Sequence, residues 1–258
     1  MGVVNVTPDS FSDGGRYFEP ATAVARAKEL VEEGADMLDV GGESSRPGAA
    51  PVSVEEELAR VLPVLDALRD ATLPVSIDTV KPEVMRVVLD RGASMINDIN
   101  ALRAPGAAEI VAASDAAVCL MHMQGEPRTM QQDPQYEDVV AEVKAYLAER
   151  AAAAEAAGIG RDRIVLDPGF GFGKTVAHNL ALLRGLPALA ELGCPLLVGL
   201  SRKSTLGAIT GRAAGERMPA SVAAALLAAQ RGVRIVRVHD VAATRDALAV
   251  LAAVNGEQ

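Results

Sequence analysis

Along the chain, short apolar runs alternate with longer segments whose apolar residues recur every three to four positions. One grammar repeats: an amphipathic stretch, a glycine, a few residues, a short apolar run, then a polar residue. Clear copies place Gly34 before the run 37–40, Gly92 before 95–96, Gly158 before 164–166, Gly193 before 196–198 and Gly232 before 235–236. A glycine just past a helix end supplies the left-handed backbone that stops the helix, and short β-branched runs suit strands buried on both faces. Runs at 2–6, 75–77 and 117–121 bring the strands to eight. Their spacing, roughly thirty residues, is that of a repeated βα unit. Eight units predict an α/β fold, a single (β/α)8 TIM barrel with its site at the C-terminal strand ends; periodicity alone also fits a doubly wound open sheet. Helices are predicted over 21–33, 54–69, 82–91, 138–157, 220–230 and 242–254, with Pro82 suited to a first helical turn.

Composition narrows the class. The 258 residues fit one large domain, expected to span 1–258. Half are hydrophobic but only 3% aromatic, so the core is built from Val, Leu, Ile, Ala and Met. A net charge of −9 would repel a polyanion, and no nucleic-acid partner is expected. Cys119 and Cys194 lie inside apolar runs and read as buried reduced thiols rather than a disulfide or zinc pattern. No run approaches the length of a membrane span and no basic-then-apolar leader precedes the first strand, so a cytoplasmic protein with no membrane partner is expected. The abrupt start at Met1-Gly2-Val3 suggests that a turn or hairpin precedes this segment.

In a (β/α)8 barrel the chemistry sits where the strands end. Every apolar run here ends in polar residues: Asn5, Glu43-Ser44-Ser45-Arg46, Asp78-Thr79, Asn97-Asp98, His122, Asp167, Ser201-Arg202-Lys203-Ser204 and Arg237 to Asp240. Singly, each has a plain explanation as a helix cap or a rim charge. Eight ends carrying the same kind of residue are harder to explain so. Two motifs are declined. The segment 169–175 looks like a P-loop, but Pro168 occupies the required first glycine, so it reads as a flexible glycine loop. His122, His178 and His239 have no second ligand at metal spacing, and His178 falls at a predicted helix start.

The polar ends divide by chemistry. Asp78, Asn97 and Asp167 suit hydrogen bonding to a flat heterocycle with N–H donors and a carbonyl. Asn5, Ser45, Arg46, Arg237 and His239 suit an oxygen-rich anion such as a diphosphate.

Together the motifs NVTPDSFSDGG (5–15), ESSRPG (43–48), SIDT (76–79), IND (96–98), MHMQG (121–125), DPGFGFGK (167–174), GLSRKS (199–204) and RVHD (237–240) resemble those of the dihydropteroate synthases, in order and over nearly the whole chain. The resemblance implies a pterin held by Asp78, Asn97, Met121, Asp167 and Lys203, with Arg237 stacked along it. It implies a diphosphate held by Asn5, Ser45, Arg46, Arg237 and His239, with Asn5 as the metal ligand for Mg2+. Phe11, Pro47, Phe172, Lys203 and Ser204 would frame p-aminobenzoate, Asp9 and Asp13 would sit on the mobile first loop, and Asp13, Lys203 and Arg237 would be catalytic. The family usually has Thr where this chain has Ser45; the hydroxyl is kept. A homodimer is implied.

The chemistry implied is departure of diphosphate from a dihydropterin methylene, then attack by the arylamine, with catalysis by position and electrostatics. Rival readings are a pterin-dependent methyltransferase, which has no use for Arg46, Phe172 or 201–204, a Schiff-base aldolase using Lys203, and a non-catalytic pterin-binding barrel.

Overall fold

The computed structural model describes residues 1–7, 20–45 and 49–256. It runs β1 (Gly2–Asn5), α1 (Pro20–Glu32), β2 (Leu38–Gly41), α2 (Val54–Ala67), β3 (Val75–Asp78), α3 (Pro82–Asp90), β4 (Met95–Asp98), α4 (Ala107–Ala112) and β5 (Ala117–Met121). There follow α5 (Val139–Ala156), β6 (Ile164–Asp167), α6 (Val176–Ala190), β7 (Leu197–Val198), α7 (Ser204–Thr210), α8 (Met218–Ala229), β8 (Ile235–Val236) and α9 (Val241–Asn255).

Strands β1 to β6 are parallel neighbours in chain order, and β7 pairs with β8. Bridges Leu166–Leu196 and Gly2–Val238 join the two pieces. Val3 N donates to Val238 O, and Val238 N to Met1 O, each at 3.0 Å, so the eight strands close into a ring and the open-sheet alternative falls. All eight expected strands are present. The five glycines expected to stop helices, Gly34, Gly92, Gly158, Gly193 and Gly232, all have φ between 78° and 100°. Pro82 opens α3, and Asp138 caps α5 by accepting from Val140 N and Ala141 N.

Helices α4, α6 and α7 were not among the six predicted spans, although a helix start was expected at His178. Helices α4 and α7 have six and seven residues, too few for a periodic pattern, and α6 carries Gly185 and Pro187. His178 does lie at the start of α6, where its side chain and that of Thr175 form a capping box.

Side-chain alternation along the strands fixes where the chemistry sits. Leu38, Val40, Ile77, Ile96, Val118, Leu120, Ile164, Leu166 and Val198 pack outward with the helices in the main core. The other parity points into the ring. There Met1, Met95, Cys119, Val165 and Leu197, with Met37 and Ile235, plug one end with apolar side chains. Two residues further along the same strands come Asp39, Asn97, Met121, Asp167 and Arg237, at the C-terminal end. Cys119 and Cys194 are free and buried, as expected. No helix among the described residues is long and apolar enough to cross a membrane.

Candidate active site

The C-terminal mouth of the ring is organised around Asp39, fully buried on β2. Its Oδ2 accepts from Arg237 Nε at 2.6 Å and from Asn97 Nδ2 at 3.1 Å. Arg237 Nη2 also donates to Asp78 Oδ2 at 3.2 Å, so one guanidinium spans two carboxylates. Three of the expected residues, Asp78, Asn97 and Arg237, are thereby brought together by a fourth that the sequence reading passed over. Burial pushes the Asp78 carboxyl up to about 7, the neighbouring Asp39 charge adds to the rise, and Arg237 opposes it.

Across the mouth, Asp167 is buried and its Oδ1 accepts from Gly169 N at 2.7 Å. Desolvation raises its pKa against the pull of Lys203. Burial lowers Lys203 to about 8, opposed by Asp167 and Asp78 and reinforced by Arg237. The Lys203 ammonium donates to Phe170 O and stands 4.8 Å from the centre of the Phe172 ring. Phe172 in turn packs with Ile99, Met121, Met123 and Met130, an apolar wall beside the charged groups. Expected site residues Met121, Phe172, Lys203 and Asp167 are therefore linked as neighbours, each to the next.

The remaining expected residues lie nearer the rim. Asn5 ends β1, in register with Gly41 of β2. The His239 ring nitrogen Nδ1 lies 3.0 Å from Ser201 Oγ, and Ser204 is the first residue of α7. Ser45 and Asp78 both line a cavity of about 690 Å3, together with Glu43, Thr79, Met123 and Arg128. That volume suits a small ligand. Asp9, Phe11, Asp13, Arg46 and Pro47 lie outside the described residues.

Some polar strand ends are structural after all. Asp98 accepts from Asn100 N and Leu102 N, both at 2.7 Å, and Arg202 pairs with Asp240. His122 is buried against Lys174. In the wall of that cavity, Lys81 joins Glu43 to the fully buried Glu57 of α2. The signal for Asp39 was a lone carboxylate inside an apolar strand, which the expected inward parity makes unlike a surface charge.

A barrel mouth with two carboxylates of raised pKa, a lysine of lowered pKa and a guanidinium between carboxylates is the kind of site in which burial is offset by a bound ligand. The model of the pterin binding enzyme family matches residues 1–239. The chain belongs to that family. Within it, the dihydropteroate synthase of Neisseria meningitidis serogroup B is 56% identical over 262 residues, 99% of this chain and 92% of that one. Among solved structures of pterin binding enzymes, Xanthomonas albilineans dihydropteroate synthase with 4-aminobenzoic acid is 57% identical. It superposes with a TM-score of 0.94 over 100% of this chain and 93% of that one. The same enzyme in complex with 7,8-dihydropteroate is 52% identical, with a TM-score of 0.88 over 100% and 93%.

Proposed function

We infer that the chain catalyses the dihydropteroate synthase reaction, joining 6-hydroxymethyl-7,8-dihydropterin diphosphate to p-aminobenzoate with release of diphosphate. The single observation that carries this reading is the buried polar mouth, Asp39, Asp78, Asn97, Asp167, Lys203 and Arg237, in a family member 56% identical to a dihydropteroate synthase. In this reading Asp78, Asn97, Asp167 and Lys203 bind the pterin ring edge by hydrogen bonds, with Met121 beneath it and Arg237 along it. Ionised carboxylates accept from the ring N–H donors, and the Asn97 amide offers both a donor and an acceptor.

Arg46, Arg237, His239 and Ser45 hold the diphosphate and favour the charge that gathers on it as the carbon–oxygen bond breaks. The described residues contain no group of three or more His, Cys, Asp and Glu that could hold a metal ion. Mg2+ keeps several waters and takes substrate phosphates as ligands, so it needs few protein oxygens, and the Asn5 amide at the end of β1 would supply one. When bound, it would neutralise leaving-group charge. Phe172, Ser204, Phe11 and Pro47 frame the arylamine, Lys203 lies between amine and pterin, and Asp13 helps to exclude water from the pterin cation. The amine nitrogen then forms the new bond to the methylene carbon and loses its proton. No covalent intermediate with the protein is required.

The same reading extends to a homodimer, supported by exposed Met218 and Leu227 on α8 and Val250 and Val254 on α9, and to a cytoplasmic location. The direct test mixes dihydropterin diphosphate, p-aminobenzoate, Mg2+ and the protein. Dihydropteroate and diphosphate should appear one for one, and a folded protein that releases neither would refute the reading.

A further inference from the structure

The segment read from sequence as a flexible glycine loop is pinned at every carbonyl. Gly169 O and Phe172 O each accept from Lys174 Nζ at 2.9 Å. Phe170 O accepts from Lys203 Nζ, Gly171 O from Gln131 Nε2, and Gly173 O from the Tyr136 hydroxyl at 2.9 Å. Five consecutive carbonyls thus receive a side-chain donor, and Lys174 supplies two of them.

Lys174 is 3% exposed, with its ammonium 2.9 Å from His122 Nδ1 and 3.4 Å from His122 O. An ammonium has three donors, and here three acceptors stand at 2.9 Å: a ring nitrogen and two carbonyls. His122 is held in place by the edge of Tyr146, ring centres 4.8 Å apart, and its burial keeps it neutral, so Nδ1 is free to accept. The loop has no room to shift. A methyl group on Gly169 would overlap the His122 carbonyl, and one on Gly173 would overlap that of Gln124. Asp167 grips the loop separately, through Gly169 N, from the end of β6.

Burying this charge is unfavourable: desolvation brings Lys174 down to about 7, against the attraction of Asp167. A neutral side chain would avoid that penalty, so the ammonium is retained for the carbonyls that it orders. The residue that those carbonyls position is Phe172, whose ring faces Lys203.

We propose that Lys174 is a positioning residue for the arylamine slot: from beneath, it fixes the 169–173 backbone that sets Phe172 opposite Lys203. This rests on the dihydropteroate synthase reading of the site. Lys174 touches no reacting atom, and the pterin partners Asp78 and Asn97 stand on β3 and β4, while only Asp167 and Lys203 meet the loop, so the effect of Lys174 falls on the amine substrate far more than on the pterin.

Lys174→Met tests this with two readouts. In steady-state kinetics the KM for p-aminobenzoate should rise about tenfold or more while that for dihydropterin diphosphate stays within about twofold. In hydrogen exchange, the amides of 169–173 should lose protection. An unchanged p-aminobenzoate KM in the folded variant, or an equal rise in both KM values, overturns the proposal. If the wild-type protein makes no dihydropteroate, the functional reading fails, and unaltered exchange in Lys174→Met then overturns the pinning independently. If Lys174→Met does not fold, Tyr136→Phe removes one bond to the same loop and should raise the p-aminobenzoate KM about threefold, the scale of one neutral hydrogen bond; no rise overturns the proposal.

Discussion

A step of two positions leads from Met37 to Asp39, Met95 to Asn97, Val165 to Asp167 and Ile235 to Arg237, and over each step the inside of the barrel passes from apolar to hydrogen-bonding. The strands, the parity and the burial are the same at both ends. At the apolar end the chain satisfies itself, because Met1, Met95, Cys119, Val165 and Leu197 need only one another. At the other end burial acts against nearly every group: it raises Asp78 and Asp167, lowers Lys203 and leaves Asp39 Oδ1 with no partner among the described residues. A fold gains little stability from such groups, and they are kept where a ligand completes their hydrogen bonds.

The comparison can be broken first at Asp39, which holds the polar end together. Asp39→Ala strands the Arg237 guanidinium with only Asp78 and should lower stability by about 3 kcal/mol, at the lower end of the range for breaking a buried pair. Urea unfolding with a loss under about 1 kcal/mol would show that Asp78 alone suffices for Arg237. Next come the ring carboxylates. Asp78→Ala should weaken pterin binding by roughly 2–4 kcal/mol, the scale of leaving buried ligand donors unpaired, and calorimetry with the bare pterin reads it directly.

A smaller effect is expected from pH. The Asp78 carboxyl is raised in the fold to about 7 from an ordinary value of 3.8, so the folded protein holds that proton more firmly than the unfolded chain. The stability it contributes is complete below the ordinary value and is lost as pH rises through about 7. Asp78→Asn should flatten that part of the stability profile, leaving the contributions of Asp98, raised by burial to about 6, and of Asp167, also raised by burial. Pterin N–H donors favour the ionised form, so affinity should rise about tenfold between pH 6 and 8 with proton release on binding. A flat affinity profile in the wild type would mean that Asp78 binds as the acid. Smallest of all, Phe172→Leu should alter the ratio of p-aminobenzoate to sulfonamide affinity about threefold to tenfold, with pterin affinity unaffected, since Phe172 is on the apolar wall and makes no bond to the carboxylate cluster.

Most of this was legible in the sequence because a closed parallel barrel writes its period plainly. Gly34, Gly92, Gly158, Gly193 and Gly232 mark where helices stop, and the polar residue after each apolar run marks the mouth. Asp78, Asn97, Asp167, Lys203 and Arg237 were found that way. Asp39 was hidden because it falls within the run 37–40, where neighbours Leu38 and Val40 made the segment look uniformly apolar. Lys174 was passed over for a different reason: a lysine after three glycines reads as a loop charge, and only the third dimension brings it under carbonyls five and two residues back. Helices α4 and α7 were too short to show a period.

The division of the barrel interior is tested most directly by measuring two quantities, the unfolding free energy and the pterin dissociation constant, on the pair Met95→Ala and Asp167→Ala. Met95→Ala should lose about 2–5 kcal/mol of stability to the cavity it leaves and bind pterin as the wild type does. Asp167→Ala should lose less stability than Met95→Ala, its cost being the bond from Gly169 N, and lose roughly 2–4 kcal/mol of pterin affinity. Equal losses of affinity in the two variants, or undiminished affinity in a folded Asp167→Ala, would contradict the claim that the polar end reads the ligand while the apolar end carries the fold.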